Sequence, residues 1–275
     1  MVTRVTIQGY EGSFHQMAAR SFFGQDVEVI PCATFREVVK LAGNKEIDGG
    51  VMAIENSIAG SILANYALLQ KSDLQIVGEV YLQINQHLLA NPGVLIEDIR
   101  EVHSHPMALQ QCLRFLDKYN WKLVETEDTA LSAKLVHRHR SKHIAAIAGK
   151  LAAELFDLKV VKHNIQDEKN NYTRFLVVQK RESSNFIESP DKASVNFQVS
   201  HTQGALARVL TVIAEEGVNL SKLQSFPIPG TQWKYSFHAD LEFETVEQFE
   251  LVKEKMLPLT DKIRVFGVYK KGKTV

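Results

Sequence analysis

The sequence predicts an α/β protein in two parts, a larger one of alternating strands and helices and a smaller βαββαβ one. Three observations carry this. Residues 1–180 alternate strand-like and helix-like segments; residues 181–192 are polar, Ser-rich and contain Pro190; and residues 193–275 switch hydrophobic period in the ferredoxin-like order. A chain of 275 residues also suits two domains, at about 150 residues each.

In the larger part, strands are expected at Arg4–Gln8, Val27–Cys32, Gly50–Ile54, Gln75–Tyr81, Arg100–His103, Lys122–Glu125, His143–Ile147, Lys159–His163 and Thr173–Val178. Helical patterns fall between most of them. In Pro106–Lys118, Leu109, Cys112, Leu113 and Leu116 make one apolar stripe, and Pro106 suits a first helical position, where its missing N–H costs nothing. Alternating β and α implies a mainly parallel sheet covered on both faces. So many strands in this length predict two small lobes.

In the smaller part, Val195, Phe197 and Val199 alternate as a half-buried strand does. Leu206, Val209, Leu210 and Ile213 form a helical stripe. Strands follow at Asn219–Ser225 and Trp233–Phe243, then a helix at Val246–Met256 and a strand at Ile263–Tyr269.

Lys plus Arg and Asp plus Glu both number 32, so no global field favours a nucleic acid or an anionic membrane. No stretch reaches the ~18 apolar residues of a membrane span, and the first residues lack a signal-peptide core. Cys32 and Cys112 sit in apolar surroundings, as reduced buried thiols do. A cytoplasmic protein is expected.

Four loops share one design, a strand, a short polar or Gly-containing turn and then a helix. They are Gly9–Ser13, Glu55–Ser57 with Gly60-Ser61, Ser104–Pro106, and Asp128-Thr129. Such turns gather at the carboxyl ends of strands, where helix N-terminal N–H groups favour anions. Their Ser, Asn, Asp and Thr residues also read as plain helix caps. The segment Asn170–Phe175 carries Thr173 and Arg174; Arg174 could fork onto a carboxylate, or snorkel outward from an ordinary strand. His137, His139 and His143 are interleaved with basic side chains and match no zinc spacing. Gly9-x-x-Gly12 is not a dinucleotide fingerprint.

Taken in order, these residues resemble the prephenate dehydratase family. The resemblance runs through Gly9–Phe14, Ala53–Ser57 with Gly60, Gln86–Leu89, Ser104–Pro106, Asp128–Ala130, Ala145–Ala148, Ile165–Asp167 and Asn171–Phe175. The C-terminal part resembles an ACT domain at Gly204-Ala205-Leu206-Ala207 and Gly217–Leu220. Two departures stand out. The family usually has Pro where Ala53 stands, and its Glu-Ser-Arg-Pro block is here Gln224-Ser225-Phe226-Pro227, two polar contacts fewer.

The resemblance implies a two-lobed, periplasmic-binding-protein-like (type II) catalytic domain over 1–180, a linker over 181–192 and an ACT domain over 193–275. It implies decarboxylative dehydration of prephenate to phenylpyruvate, needing neither metal nor cofactor, with Thr173 as hydrogen-bond or proton donor to the leaving hydroxide. Ser13, Asn56, Ser57, Ser104, Thr129, Arg174 and Phe175 are the expected substrate-binding residues. Gly204, Ala205, Leu206, Ala207, Asn219, Leu220, Gln224 and Ser225 are the expected site of an amino-acid effector, phenylalanine, in a homodimer or homotetramer. A monofunctional enzyme is expected. Arogenate dehydration and a non-catalytic amino-acid sensor are the alternatives.

Overall fold

The computed structural model describes residues 2–181, 187–228, 230–232 and 234–275. Residues 182–186 of the expected linker and Trp233 of the expected strand Trp233–Phe243 lie outside the described residues. The elements, in chain order, are β1 (Arg4–Gln8), α1 (Phe14–Phe23), β2 (Glu28–Cys32), α2 (Phe35–Ala42), β3 (Gly49–Asn56), β4 (Gly60–Ser61), α3 (Leu63–Gln70), β5 (Leu74–Gln83), β6 (His87–Ala90) and β7 (Glu101–Ser104). Next come α4 (Pro106–Gln110), α5 (Leu113–Leu116), β8 (Lys122–Glu125), α6 (Thr129–His139), β9 (Ile144–Ala148), α7 (Lys150–Leu155), β10 (Lys159–Lys162) and β11 (Tyr172–Lys180). The chain ends with β12 (Lys192–Gln198), α8 (Ala205–Glu215), β13 (Asn219–Pro227), β14 (Tyr235–Glu242), α9 (Val246–Met256) and β15 (Lys262–Tyr269).

The chain divides into two compact units. One comprises Met1–Asp73, Val80–Val177 and Lys273–Val275, the other Leu74–Glu79 and Val178–Gly272. Among the described residues the strands form three sheets. The first has the order β2-β1-β3-β11-β5, with β4 against β3, and the second β10-β6-β9-β7-β8. β1 runs parallel to β2 and β3, because the chain crosses back through α1 and α2 each time. Val5 and Ile7 are fully buried there, as the sequence alternation requires.

The second sheet departs from the expected parallel design. β7, β8 and β9 are parallel, but β6 pairs antiparallel with β9 and β10. β6 is an element the pattern does not announce: all four of its residues are buried, so no alternation marks it. The helix expected over Pro106–Lys118 is two short ones. Cys112, at φ −120° and ψ 15°, leaves the helical region between them. Leu109, Cys112 and Leu116 still bury in one core, while Leu113 turns out to solvent.

The second unit carries the ferredoxin-like order, with the four-stranded antiparallel sheet β13-β14-β12-β15. Ala193, Val195 and Phe197 pack with Val209 and Ile213 of α8 and with Phe249, Val252 and Met256 of α9. The alternate residues of β12 and β14 are polar and also buried, among them Lys192, Ser194, His238 and Asp240. Ser194 Oγ donates to Asp240 Oδ1 at 2.5 Å and lies 2.8 Å from the Tyr269 hydroxyl, so these three groups of that face satisfy one another.

Candidate active site

In the first unit, the turns leaving β1 and β3, the start of β11 and the N-termini of α4 and α6 surround a cavity of about 320 Å³. Ser13, Asn56, Thr129, Thr173 and Phe175 all line it. Gly9 begins the first turn at φ +92°, a region L side chains rarely adopt, and a Cβ there would meet Asp128 Oδ2 at 2.8 Å. Ser13 caps α1, its Oγ accepting from the Gln16 amide at 3.4 Å, and Asp128 caps α6, accepting from the Leu131 amide at 2.9 Å. The capping role and the place in the cavity wall therefore coincide in Ser13 and Asp128.

Asn56 is the junction of the wall. Its Nδ2 donates to Asn171 Oδ1 at 2.7 Å and to Thr173 Oγ1 at 3.0 Å, with Tyr172 O at 3.2 Å. Its Oδ1 accepts from the Ile58 and Ala59 amides at 3.0 and 2.9 Å, which fixes the orientation of the amide. Asn171 Nδ2 in turn donates to Gln111 Oε1 at 3.2 Å. Thr173 is thus an acceptor toward Asn56, and its own hydroxyl hydrogen is left for the cavity. Burial holds Thr173 to 9% exposure.

Among the described residues the wall contains no Lys or Arg. Two imidazoles face it, and each accepts from a backbone amide, His15 Nε2 from Ala53 at 3.4 Å and His105 Nδ1 from Met107 at 3.2 Å. Among the described residues neither is bonded to a hydroxyl. Burial among Phe35 and Phe175 pushes the His15 pKa down to about 4, so the ring is neutral at neutral pH. Ala53 is what makes the His15 bond available, since a proline there has no N–H. Glu127 and Asp128 also line the cavity. The Glu127 carboxylate accepts from the Tyr10 hydroxyl at 2.6 Å and raises the pKa of Tyr10. Burial raises that of Asp128, against the opposing Leu131 amide.

Residues 5–183 match the family model for prephenate dehydratase. The chain belongs to the prephenate dehydratase family. A bifunctional chorismate mutase/prephenate dehydratase of Aquifex aeolicus (strain VF5) is 34% identical over 98% of this chain and 74% of its own length. Arogenate dehydratase/prephenate dehydratase 1 of Arabidopsis thaliana is 38% identical over 82% of this chain and 57% of its own. Among solved structures, a protein described as a novel type of quorum-quenching acylase superposes with TM-score 0.86 at 28% identity, covering 98% of both chains. A prephenate dehydratase from Arthrobacter aurescens in complex with L-Phe superposes with TM-score 0.84 at 26% identity, over 98% of this chain and 90% of that one.

Three of the residues expected to bind substrate in this prephenate dehydratase family member, Ser57, Ser104 and Arg174, do not line the cavity. Ser104 is fully buried and its Oγ donates to Ile147 O at 2.6 Å, so it ties β7 to β9; its neighbour His105 takes the place in the wall. Ser57 bridges backbone instead, donating to Asn170 O at 3.1 Å and accepting from the Tyr172 amide at 2.9 Å. Arg174 lies between Thr173 and Phe175 on a strand, so alternation turns it from their face, and its guanidinium sits 5.8 Å from the Tyr81 ring centre. Sequence reasoning did not pick His15, Gln86, Gln111 or Asn171 as site residues, yet all four line the cavity.

In the second unit, Gly204, at φ +77°, precedes α8, whose first residues are Ala205, Leu206 and Ala207. Asn219, Leu220, Gln224 and Ser225 lie along β13, which packs against α8. Among the described residues no helix is long and apolar enough to cross a membrane, and no three His, Cys, Asp or Glu side chains gather as a metal site requires.

Proposed function

We propose that the cavity binds prephenate and expels its ring hydroxyl and ring carboxylate together. The carboxylate C–C bond breaks and its electrons enter the ring as carbon dioxide leaves. The C–O bond breaks, hydroxide departs, and phenylpyruvate forms. Aromatisation supplies the driving force, so the protein's task is to hold the dianion and assist the leaving hydroxide. The observation that carries this is Thr173. Its Oγ1 accepts from Asn56, which leaves its hydrogen free to be donated to a group bound in the cavity. Accepting from Asn56 polarises the O–H, which strengthens the bond it gives to a developing hydroxide.

With no Lys or Arg among the described residues of the wall, neutral donors hold the substrate. The N-termini of α1 and α6 and the side chains of Ser13 and Thr129 supply them. Phe175 adds an aromatic ring to the wall. The acylase-like relative suggests acyl transfer as a competing chemistry. Both cavity imidazoles are committed to backbone amides here, which leaves no hydroxyl–imidazole pair to start it.

Glu127 and Asp128 in the wall favour a second reading, arogenate, whose ammonium group two carboxylates suit and whose elimination is the same. The experiment is phenylpyruvate formation from prephenate, and phenylalanine formation from arogenate, by wild type and Thr173→Ala. Turnover of prephenate, lost in the variant, supports the first reading. Higher kcat/KM on arogenate moves the assignment to the second, and inertness on both removes the catalytic one.

The second unit fits an ACT domain, residues 193–275, that senses phenylalanine through Gly204–Ala207, Asn219, Leu220, Gln224 and Ser225 in a cytoplasmic homodimer or homotetramer. Its support is the βαββαβ order and the relative bound to L-Phe. Phenylalanine that left turnover unchanged would remove the regulatory role, and sedimentation as a monomer would remove the oligomer.

A further inference from the structure

A second concavity in the first unit, of about 240 Å³, lies outside the cavity and is lined by Arg114, Lys118, Lys162 and Lys169. Asp167 is its one carboxylate, and Asp167 Oδ2 already accepts from the Arg114 amide at 3.3 Å. Three positive charges therefore remain uncompensated in a chain whose formal net charge is zero. Among the described residues, no carboxylate pairs with the side chains of Arg114, Lys118 or Lys162.

Lys169 is held in place. Its Nζ donates to Asn164 O at 2.6 Å and to Gln166 O at 2.7 Å, which closes the loop 164–169 and leaves the third ammonium hydrogen. Like charges gathered in one concavity repel each other, and an anion relieves that repulsion. A planar guanidinium beside three ammonium groups suits tetrahedral oxyanions, which Arg grips in a fork and Lys as a point charge. The volume lies under the roughly 300–1,000 Å³ of sites for drug-sized ligands, so the occupant is small.

We propose that this concavity binds a phosphate-class oxyanion, either free phosphate or the phosphate group of a small ester. The site is joined to the cavity through two shared segments. Gln111 and Arg114 stand on the same short stretch, and Asp167, Lys169 and Asn171 on another. The Asp167 amide donates to Gln111 O at 2.7 Å, and Asn171 Nδ2 to Gln111 Oε1 at 3.2 Å. An occupant therefore steadies the same residues that orient Asn56. Phosphate binding here is independent of which substrate the cavity takes.

The test is calorimetric titration of the full chain with inorganic phosphate at low ionic strength, with chloride at matched ionic strength as control. Saturable binding of one phosphate per chain is expected, weakening as salt is raised. Lys118→Glu with Lys162→Glu should weaken it by about tenfold or more, because each charge-assisted hydrogen bond is worth that order. Lys118→Gln with Lys162→Gln guards against misfolding by charge reversal and should weaken it in the same direction. Glycerol 3-phosphate distinguishes the sources: tighter binding than phosphate assigns an ester, weaker binding free phosphate. No saturation at millimolar phosphate, or equal binding by the Gln variant and wild type, would overturn the proposal.

Discussion

Asn56 Nδ2 donates to Thr173 Oγ1 across 3.0 Å, joining the end of β3 to the start of β11. The direction of this bond matters more than its strength, since it decides which way the threonine hydrogen points. Asn56→Asp reverses it. A carboxylate there takes the Thr173 hydrogen for itself and repels a dianionic substrate. Turnover should fall by about 10²- to 10³-fold, the usual cost of one oriented donor, with a raised KM. Steady-state kinetics on prephenate would check this. Unchanged kcat would remove the role given to the hydroxyl.

Two imidazoles of the first unit are held neutral. Burial lowers the His15 pKa to about 4, and burial, His163 and Lys150 lower that of His87 to about 4 as well. Both lie below the unfolded value near 6.5. The unfolded chain therefore binds more protons between pH 6.5 and 4, and stability rises with pH across that window. It is complete above about pH 6.5 and declines as pH falls toward 4. Urea midpoints at pH 7 and pH 5 should differ. His15→Gln with His87→Gln keeps acceptors for the Ala53 and Asn164 amides and should flatten the dependence.

Ala53 supplies the amide that bonds His15 Nε2 at 3.4 Å. Ala53→Pro, the residue usual in the family, removes that donor. The donor favours the neutral ring, so its loss should raise the His15 pKa from about 4, which NMR titration of the ring would read. A pKa that stayed put would mean that burial between Phe35 and Phe175 sets it alone.

How much of this was legible in the sequence depended on period and on distance along the chain. The alternation of Val5 and Ile7 and the stripe of Leu206, Val209 and Ile213 announced their elements, because each has a wet face and a dry face. β6 has no wet face and stayed silent. The break at Cys112 was hidden because the apolar stripe runs across it. Thr173 and Asn56, which motif order singles out, meet in the cavity wall. Arg174, between Thr173 and Phe175, lies on the other face of the strand, as the alternation of strand residues implies. Gln111 and Asn171 were not found as site residues. Their pairing spans 60 positions, and no local pattern encodes such a contact.

In the second unit, Lys192 Nζ lies 3.0 Å from Glu79 Oε1 and 3.5 Å from Glu242 Oε1, with Lys192 and Glu79 almost wholly buried. Glu79 Oε1 also accepts from the Gly272 amide at 3.2 Å, so the ion pair and the chain after β15 are tied at one oxygen. Lys192→Met leaves the Glu79 charge without its ammonium partner in a dry setting, at a cost of about 3–5 kcal/mol. For a chain of this size that lowers the melting temperature by roughly 10 °C. Adding Glu79→Gln removes the stranded charge while keeping an acceptor for Gly272. The double variant should therefore recover most of the loss. Such recovery would show that the pair is costly to break but replaceable. If the double variant melted as low as Lys192→Met, the loss would lie in the packing of the lysine stem and not in the unpaired charge.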